Sequence, residues 1–247
     1  VTILKDRVTL TVDTSGFGLH KRGYRVKTVA APIKETLAAA MVQLSFWNKD
    51  RVLLDPCCGS GTIAIEAAMI GRNIAPGLSR SFACEEWEAI DKKLWKEEKK
   101  RAYDLMDNTS KLDIVAIDID KMAIDAAKEN AVEAGVDDCI RFINADMSRI
   151  KASQPSGIII TNPPYGERIG ERKQIAAIYS KYKKFFAENP SWSMFIVTTD
   201  KDIEGKIFGR KADRRRKLYN GRLEVCYYQF HGKKLGDNGK AKQAEQK

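Results

Sequence analysis

Two histidines, His20 and His231, serve 247 residues, and no Cys-x-x-Cys occurs. A tetrahedral zinc site therefore has no ligand set, and no metal is expected. Five cysteines, an odd number with Cys57 and Cys58 adjacent, do not read as a disulfide framework. No apolar run approaches the roughly 18 residues of a membrane span, and no signal-peptide pattern is read at the start. The expected setting is cytoplasmic and reducing, without a membrane partner. No Gly-Lys-Ser/Thr follows a glycine loop, which removes a phosphate-binding loop.

What is present is a chain long enough for one large α/β domain, with 43% hydrophobic residues and a net charge of +10. The charge is uneven. Residues 1–30 carry six Lys/Arg against two Asp/Glu, and residues 201–247 carry 14 against six. A body close to neutral between basic ends suits a polyanionic partner, because neutralising phosphates releases counterions. The alternative is that both ends are merely solvated. The chain opens on Val1, in a segment without a core of its own, and a larger protein with a further N-terminal part is expected.

Val8–Val12 alternates as a half-buried strand does. Pro32 predicts the first turn of an Ala- and Leu-rich helix running to about Phe46. Strands are predicted at 52–54, 113–119, 140–144, 157–161 and 193–198. Helices are predicted at 62–70, 87–107, 121–134 and 173–188, with Asp120 as an N-cap and Gly135 at a C-cap. A short helix near 203–208 precedes two β-rich runs, 216–219 and 223–230, joined through Asn220-Gly221. Beyond Gly232 the tail is polar and expected to be disordered. Strands alternating with helices predict a mostly parallel sheet covered on both faces, closed by an antiparallel hairpin. That pattern is the methyltransferase variant of the doubly wound α/β fold.

Two strings carry the chemistry. Asp55-Pro56-Cys57-Cys58-Gly59-Ser60-Gly61-Thr62 follows the apolar run Val52–Leu54. Gly59-x-Gly61-x-x-Ala64 formally satisfies the dinucleotide fingerprint, which wants an acidic residue about 20 positions on. Here the acidic strand end, Asp118, comes 57 residues after Gly61, so a dinucleotide fits poorly. S-adenosylmethionine (SAM) fits better. Its amino acid end lacks phosphate and can pack on the loop backbone, with Asp55 taking the ammonium. The helix start at Thr62 faces the carboxylate, and Cys57 is a small residue lining the loop. Asp118 is placed to reach ribose hydroxyls. In Asn144-Ala145-Asp146, the Asp146 carboxylate is placed to accept from an adenine amino group while the Ala145 amide donates to the ring.

The second string, Asn162-Pro163-Pro164-Tyr165, ends the strand 157–161. An amino group conjugated to a base or carbonyl is a poor nucleophile because its lone pair is delocalised. Accepting its N–H bonds with the Asn162 side-chain oxygen and the Pro163 carbonyl makes that lone pair more available. Two prolines stiffen the backbone that presents these acceptors, and Tyr165 can stack on a flat substrate. A base must leave its helical stack to reach such a pocket. Arg168 either holds a phosphate or guanine edge or pairs with Glu167 or Glu171. Arg214-Arg215-Arg216-Lys217 reads as RNA backbone contact or as a solvated face. A nucleophilic role for Cys57 or Cys58 is disfavoured.

These residues resemble the bacterial methyltransferases that form N2-methylguanosine in large-subunit (23S) ribosomal RNA and carry an upstream THUMP RNA-binding domain. The resemblance runs from about Asp13 to Gly232. It is carried most distinctively by Ser15-Gly16-x-x-Leu19-His20-Lys21-Arg22-Gly23-Tyr24-Arg25, by Ala31-Pro32-Ile33-Lys34-Glu35-Thr36-Leu37-Ala38, and by Ile74-Ala75-Pro76-Gly77-Leu78. Asn162–Arg168 also fits. The resemblance implies a class I SAM-dependent fold with a seven-stranded sheet over 31–232. It places Thr36 near the cofactor and makes residues 1–30 a linker from a THUMP domain. Similar chains are often labelled N6-adenine DNA methylases on the strength of Asn-Pro-Pro-Tyr, which does not by itself separate adenine, guanine or glutamine. The expected activity is methylation of a guanine N2 in large-subunit rRNA. The alternatives are DNA adenine-N6 methylation, glutamine-N5 methylation of protein, or a non-catalytic factor that binds RNA during ribosome assembly.

Overall fold

Alternation at the start of the chain does give strands, but not buried ones. In the computed structural model, which describes residues 1–29, 32–165 and 171–235, β1 (Thr2–Leu4) and β2 (Arg7–Thr9) form an antiparallel hairpin. Lys5 and Asp6 at its turn have φ of 49° and 59°, the left-handed pair that a two-residue hairpin needs. All six strand residues are exposed, as are Leu10 and Val12. The half-buried strand expected at 8–12 is thus replaced by a free-standing hairpin. Alternation specifies two faces without specifying what covers either.

Helix α1 (Glu35–Gln43) starts three residues after Pro32, later than expected. The cause is Arg25. Its Nη2 donates to the Ile33 carbonyl at 2.8 Å and its Nε to Glu35 at 2.7 Å, which holds the approach extended. Then follow β3 (Leu53–Asp55), α2 (Thr62–Gly71), the exposed α3 (Lys92–Asp104), β4 (Ile114–Asp118) and α4 (Lys121–Glu133). Asp120 caps α4 by accepting from the Met122 amide, and Gly135, at φ 67°, ends it. Both were expected. β5 (Ile140–Asn144), β6 (Ile158–Thr161), α5 (Glu171–Glu188), β7 (Ser193–Thr198), β8 (Arg214–Asn220) and β9 (Leu223–Phe230) complete the chain. The short helix near 203–208 is a π-helical turn, Glu204–Phe208.

Seven strands form one sheet in the order β5-β4-β3-β6-β7-β9-β8. The first five are parallel; β9 runs antiparallel to β7, and β8 to β9. Leucine, isoleucine and valine in β3, β6 and β7 are buried on both faces, as parallel strands between helical layers must be. One layer packs α1, α2 and α4 on the sheet; α5 covers the other face. At the terminal turn Asn220 pairs with Leu223, so Gly221 and Arg222 are the turn residues and Gly221 carries the positive φ of 66°. Asn220 is therefore the last strand residue rather than half of the turn.

Strand order reverses at β3, where β4 lies on one side and β6 on the other. A crevice opens at such a point, outside the carboxyl ends of the strands. The two chemistry-bearing strings end those two neighbouring strands, β3 and β6.

Candidate active site

Residues 25–29 brace the glycine loop from outside. Asn130 Oδ1 accepts from the Val26 and Lys27 amides, while its Nδ2 donates to the Ser60 carbonyl at 3.1 Å. Arg25 reaches the Ser60 and Thr62 hydroxyls. Farther along, Tyr24 and Arg22 share the buried Glu66 of α2. Arg80 donates to the Ser15, Phe17, Gly18 and Lys21 carbonyls. The sequence stretch read as a linker is docked along the catalytic body for this length.

The loop itself needs its glycines. Gly59 and Gly61 have φ of 53° and 82°, and a Cβ on Gly61 would stand 2.9 Å from that of Ala127. Gly61→Ala is expected to cost roughly 1–3 kcal/mol of stability, measured by urea unfolding; an unchanged midpoint would show that the loop can relax. The Gly59 amide donates to Asp118 Oδ2 at 2.9 Å, tying β4 to the loop.

Asp55 is fully buried, and its Oδ2 has no hydrogen-bond partner among the described residues. Burial pushes its carboxyl up to about 8, opposed by the Cys57 amide and, more weakly, by the Thr161 hydroxyl, and reinforced by the charge of Asp118. An orphaned carboxylate oxygen beside a second carboxylate suits a cationic ligand. Tyr182, buried in α5, joins the two strings from beneath. Its hydroxyl lies 3.3 Å from Thr161 Oγ1 and 3.6 Å from Cys57 Sγ. Burial pushes the Cys57 thiol up to about 12, which leaves it inert as a nucleophile at neutral pH.

Asn162, Pro163 and Pro164 follow β6 directly, and the Tyr165 hydroxyl donates to Asn162 Oδ1 at 2.6 Å. The acceptor expected to hold a substrate amino group is thus engaged within the loop itself. Asp146 N-caps the turn Met147–Arg149 by accepting from Ser148, and Lys181 donates to its other oxygen. These bonds, Lys181 first, hold its carboxyl down at about 2. The Ala145 amide donates to the Asp118 carbonyl at 3.1 Å, so the donor expected to face an adenine ring is already used. Thr36 is exposed in the first turn of α1, next to Glu35.

The three arginines expected to meet RNA are separated. Arg215 is committed to Glu204, whereas Arg214 and Arg216 are exposed on the sheet's edge strand. Arg214 pairs with Gln229, which pairs with Phe195 near the start of β7, so it lies toward the sheet's far edge. About six residues at ~3.3 Å each separate it from the hairpin tip. That tip projects beyond Thr198 on the catalytic edge and carries Arg222 and the half-exposed Tyr219, neither singled out in the sequence. Only the register of β7, β9 and β8 reveals them. Arg168 lies outside the described residues. Among the described residues no cluster of three or more His, Cys, Asp or Glu could hold a metal, and no helix is long and apolar enough to cross a membrane.

Five parallel strands closed by an antiparallel pair, with a glycine loop and an Asn-Pro-Pro-Tyr end at the switch point, define the class I methyltransferase fold. The family model for UPF0020, the RMKL-like methyltransferase domain, matches residues 22–229, and the chain belongs to that family. It is 47% identical over 233 residues to "Putative RNA methyltransferase YpsC" of Bacillus subtilis (strain 168), covering 94% of this chain and 60% of that protein. It is 39% identical over 235 residues to ribosomal RNA large subunit methyltransferase K/L of Shewanella amazonensis, covering 92% of this chain and 33% of that protein. The crystal structure of SMU.472 complexed with SAH superimposes with a TM-score of 0.85 at 46% identity. That match covers 90% of this chain and 58% of the other. The chain thus spans less than two thirds of each of these relatives.

Proposed function

We propose that this chain is the catalytic domain of a SAM-dependent methyltransferase that modifies the N2 amino group of a guanine in large-subunit rRNA. The observation that carries it is the junction of the glycine loop of β3 with Asn162-Pro163-Pro164-Tyr165 of β6 across one switch point. The residues present suit the cofactor: positive-φ glycines at 59 and 61, the orphaned Asp55 oxygen, and Asp118 beside it. When bound, SAM supplies a methyl group on a sulfonium, an electrophile needing no metal.

The protein's work is then placement. Asp55 takes the ammonium, and Asp118 and Asp146 take the ribose and adenine ends. Cys57 lines the loop, the Thr62 helix start and Thr36 lie toward the carboxylate, and Ala145 acts through its place immediately after β5. Asn162 and the Pro163 carbonyl accept from the target amino group. Pro164 stiffens that backbone and Tyr165 offers its ring to the base. No strong base is required, because the nitrogen's proton becomes acidic as the new bond forms. Residues 1–30 serve as the connection to an RNA-binding THUMP domain, residues 31–232 as the methyltransferase domain, and residues beyond 232 as a polar tail. Arg168, Arg214 and Arg216 add cationic contacts to RNA; Arg215, held by Glu204, shapes that edge.

Nucleoside mass spectrometry of large-subunit rRNA, from cells with and without the gene, tests the reading. Loss of one N2-methylguanosine, restored by the intact gene, is the expected result. An unchanged rRNA profile overturns it, and loss of N6-methyladenine from DNA instead would establish the adenine reaction.

A further inference from the structure

One motif singled out in the sequence remains without a task. His20-Lys21-Arg22-Gly23-Tyr24-Arg25 is only partly consumed by structure: Tyr24 and Arg22 hold Glu66, and Arg25 holds Glu35. Around the remainder lies a cavity of about 510 Å³, lined by this stretch except Tyr24 and by Pro32–Glu35. Of the four cations that line it, Arg22 pairs with the buried Glu66 at 3.4 Å and Arg25 with Glu35 at 2.7 Å, which leaves Lys34 and Lys21, the latter 5.1 Å from the centre of the Phe17 ring. Neither Lys21 nor Lys34 has a carboxylate partner among the described residues, and His20 adds a further polar wall.

No residue of the glycine loop lines this cavity, and neither do Asp118, Asp146 or Asn162. It is nonetheless adjacent to them. Arg25 forms part of its wall while its guanidinium touches Thr62 Oγ1 at 3.0 Å and Ser60 Oγ at 3.4 Å. One guanidinium therefore separates the cavity from the loop that begins α2. An excess of unpaired cations in a concave site attracts an anion, and lysines serve phosphate as point charges while arginines offer a planar fork.

We propose that this cavity binds a backbone phosphate of the substrate RNA strand. The proposal rests on the reading of the chain as an RNA methyltransferase. Lys21 and Lys34 neutralise the phosphate, and Arg25 keeps the strand in register with the glycine loop it braces. The bound phosphate fixes how far the strand is from the methyl-transfer site, so that one nucleotide alone reaches Asn162. Lys21 and Lys34 are positioning residues, acting on RNA and not on the reacting atoms.

The test uses the full-length protein, saturated with SAH, and a labelled single-stranded oligoribonucleotide of mixed sequence. The Lys21→Glu/Lys34→Glu variant is expected to bind this probe at least tenfold more weakly at ~0.1 M salt, because two phosphate-facing cations are gone. The slope of log affinity against log salt should fall by about 0.7 for each phosphate charge left unneutralised. SAH affinity by calorimetry and the thermal midpoint should not change, and Lys21→Arg/Lys34→Arg should restore RNA binding. Unchanged RNA affinity and slope in the Glu variant would overturn the proposal and make the cations a solvated wall. Weakened SAH binding with RNA binding intact would also overturn it, assigning the cavity to the cofactor's carboxylate. Absence of RNA binding by the unaltered protein would instead sink the RNA methyltransferase reading on which the proposal stands.

Discussion

Asn162→Ala is expected to lower turnover about 100- to 1,000-fold, the usual effect of deleting one preorganised polar group at a reacting centre. SAH affinity should stay nearly unchanged. The split follows from position. Asn162 leaves β6 immediately after Thr161, whose hydroxyl is anchored to Tyr182 beneath the two loops, and it is followed by two prolines. Its side chain is therefore held by backbone rather than by the ligand. The Tyr165 hydroxyl donates to its Oδ1 at 2.6 Å, which fixes the amide's orientation before any substrate arrives. An oxygen has two lone pairs, so a target N–H can join that bond or displace it. Single-turnover kinetics on methyl-acceptor rRNA, with calorimetry for SAH, measure the two quantities separately. Equal loss of turnover and of SAH affinity would move Asn162 into the cofactor site.

The sheet was legible because its strands are the parts least dependent on context. Ile158–Thr161 and Ser193–Thr198 are apolar on both faces and bounded by Gly157, Asn162 and Pro190, so length and flanks decide their type. The glycine loop was legible for a similar reason, since its positive-φ positions at 59 and 61 admit few residues but glycine. Alternation in 8–12 failed because a free hairpin and a half-buried strand share one pattern. Pro32 misled because Arg25, seven residues upstream, holds the Ile33 carbonyl and postpones the helix. Partners distant in sequence were hidden as well. Lys181 on Asp146, Asn130 on Ser60 and Glu204 on Arg215 all arise from packing between elements. In sequence the run Arg214–Arg216 looks like one patch, but successive strand residues point to opposite faces, and the strand's register decides which end meets the catalytic edge. Arg222 and Tyr219 could be found only from that register.

Cofactor affinity is expected to tighten about tenfold per pH unit between pH 6 and ~7.5, where the ligand's amino group is still protonated, and to weaken again at alkaline pH as that ammonium loses its proton. The group responsible is Asp55. Burial raises its carboxyl from 3.8 in the unfolded chain to about 8 in the folded protein, with Asp118 adding repulsion. Below pH 8 the free protein therefore holds Asp55 neutral, and a ligand ammonium must displace its proton to meet a carboxylate. Each unit below 8 makes the ionised form tenfold rarer, which sets the slope; above 8 Asp55 has no proton to displace and the ligand ammonium becomes the group that titrates. The same shift acts on folding with a fixed sign. Between about pH 4 and 8 the native state binds more protons than the unfolded chain at this site, so the contribution of Asp55 to stability falls as pH rises through that window. The penalty is complete above pH 8. Asp55→Asn cannot ionise, so it should bind SAH weakly at every pH, and urea unfolding should show it losing less stability than the unaltered protein between pH 5 and 8.5. Calorimetry in buffers of differing ionisation enthalpy reads the proton directly, with close to one released per ligand bound at pH 6 and few at pH 9. A pH-independent affinity in the unaltered protein would show that Asp55 is already ionised before the ligand arrives, and would take the ammonium away from it.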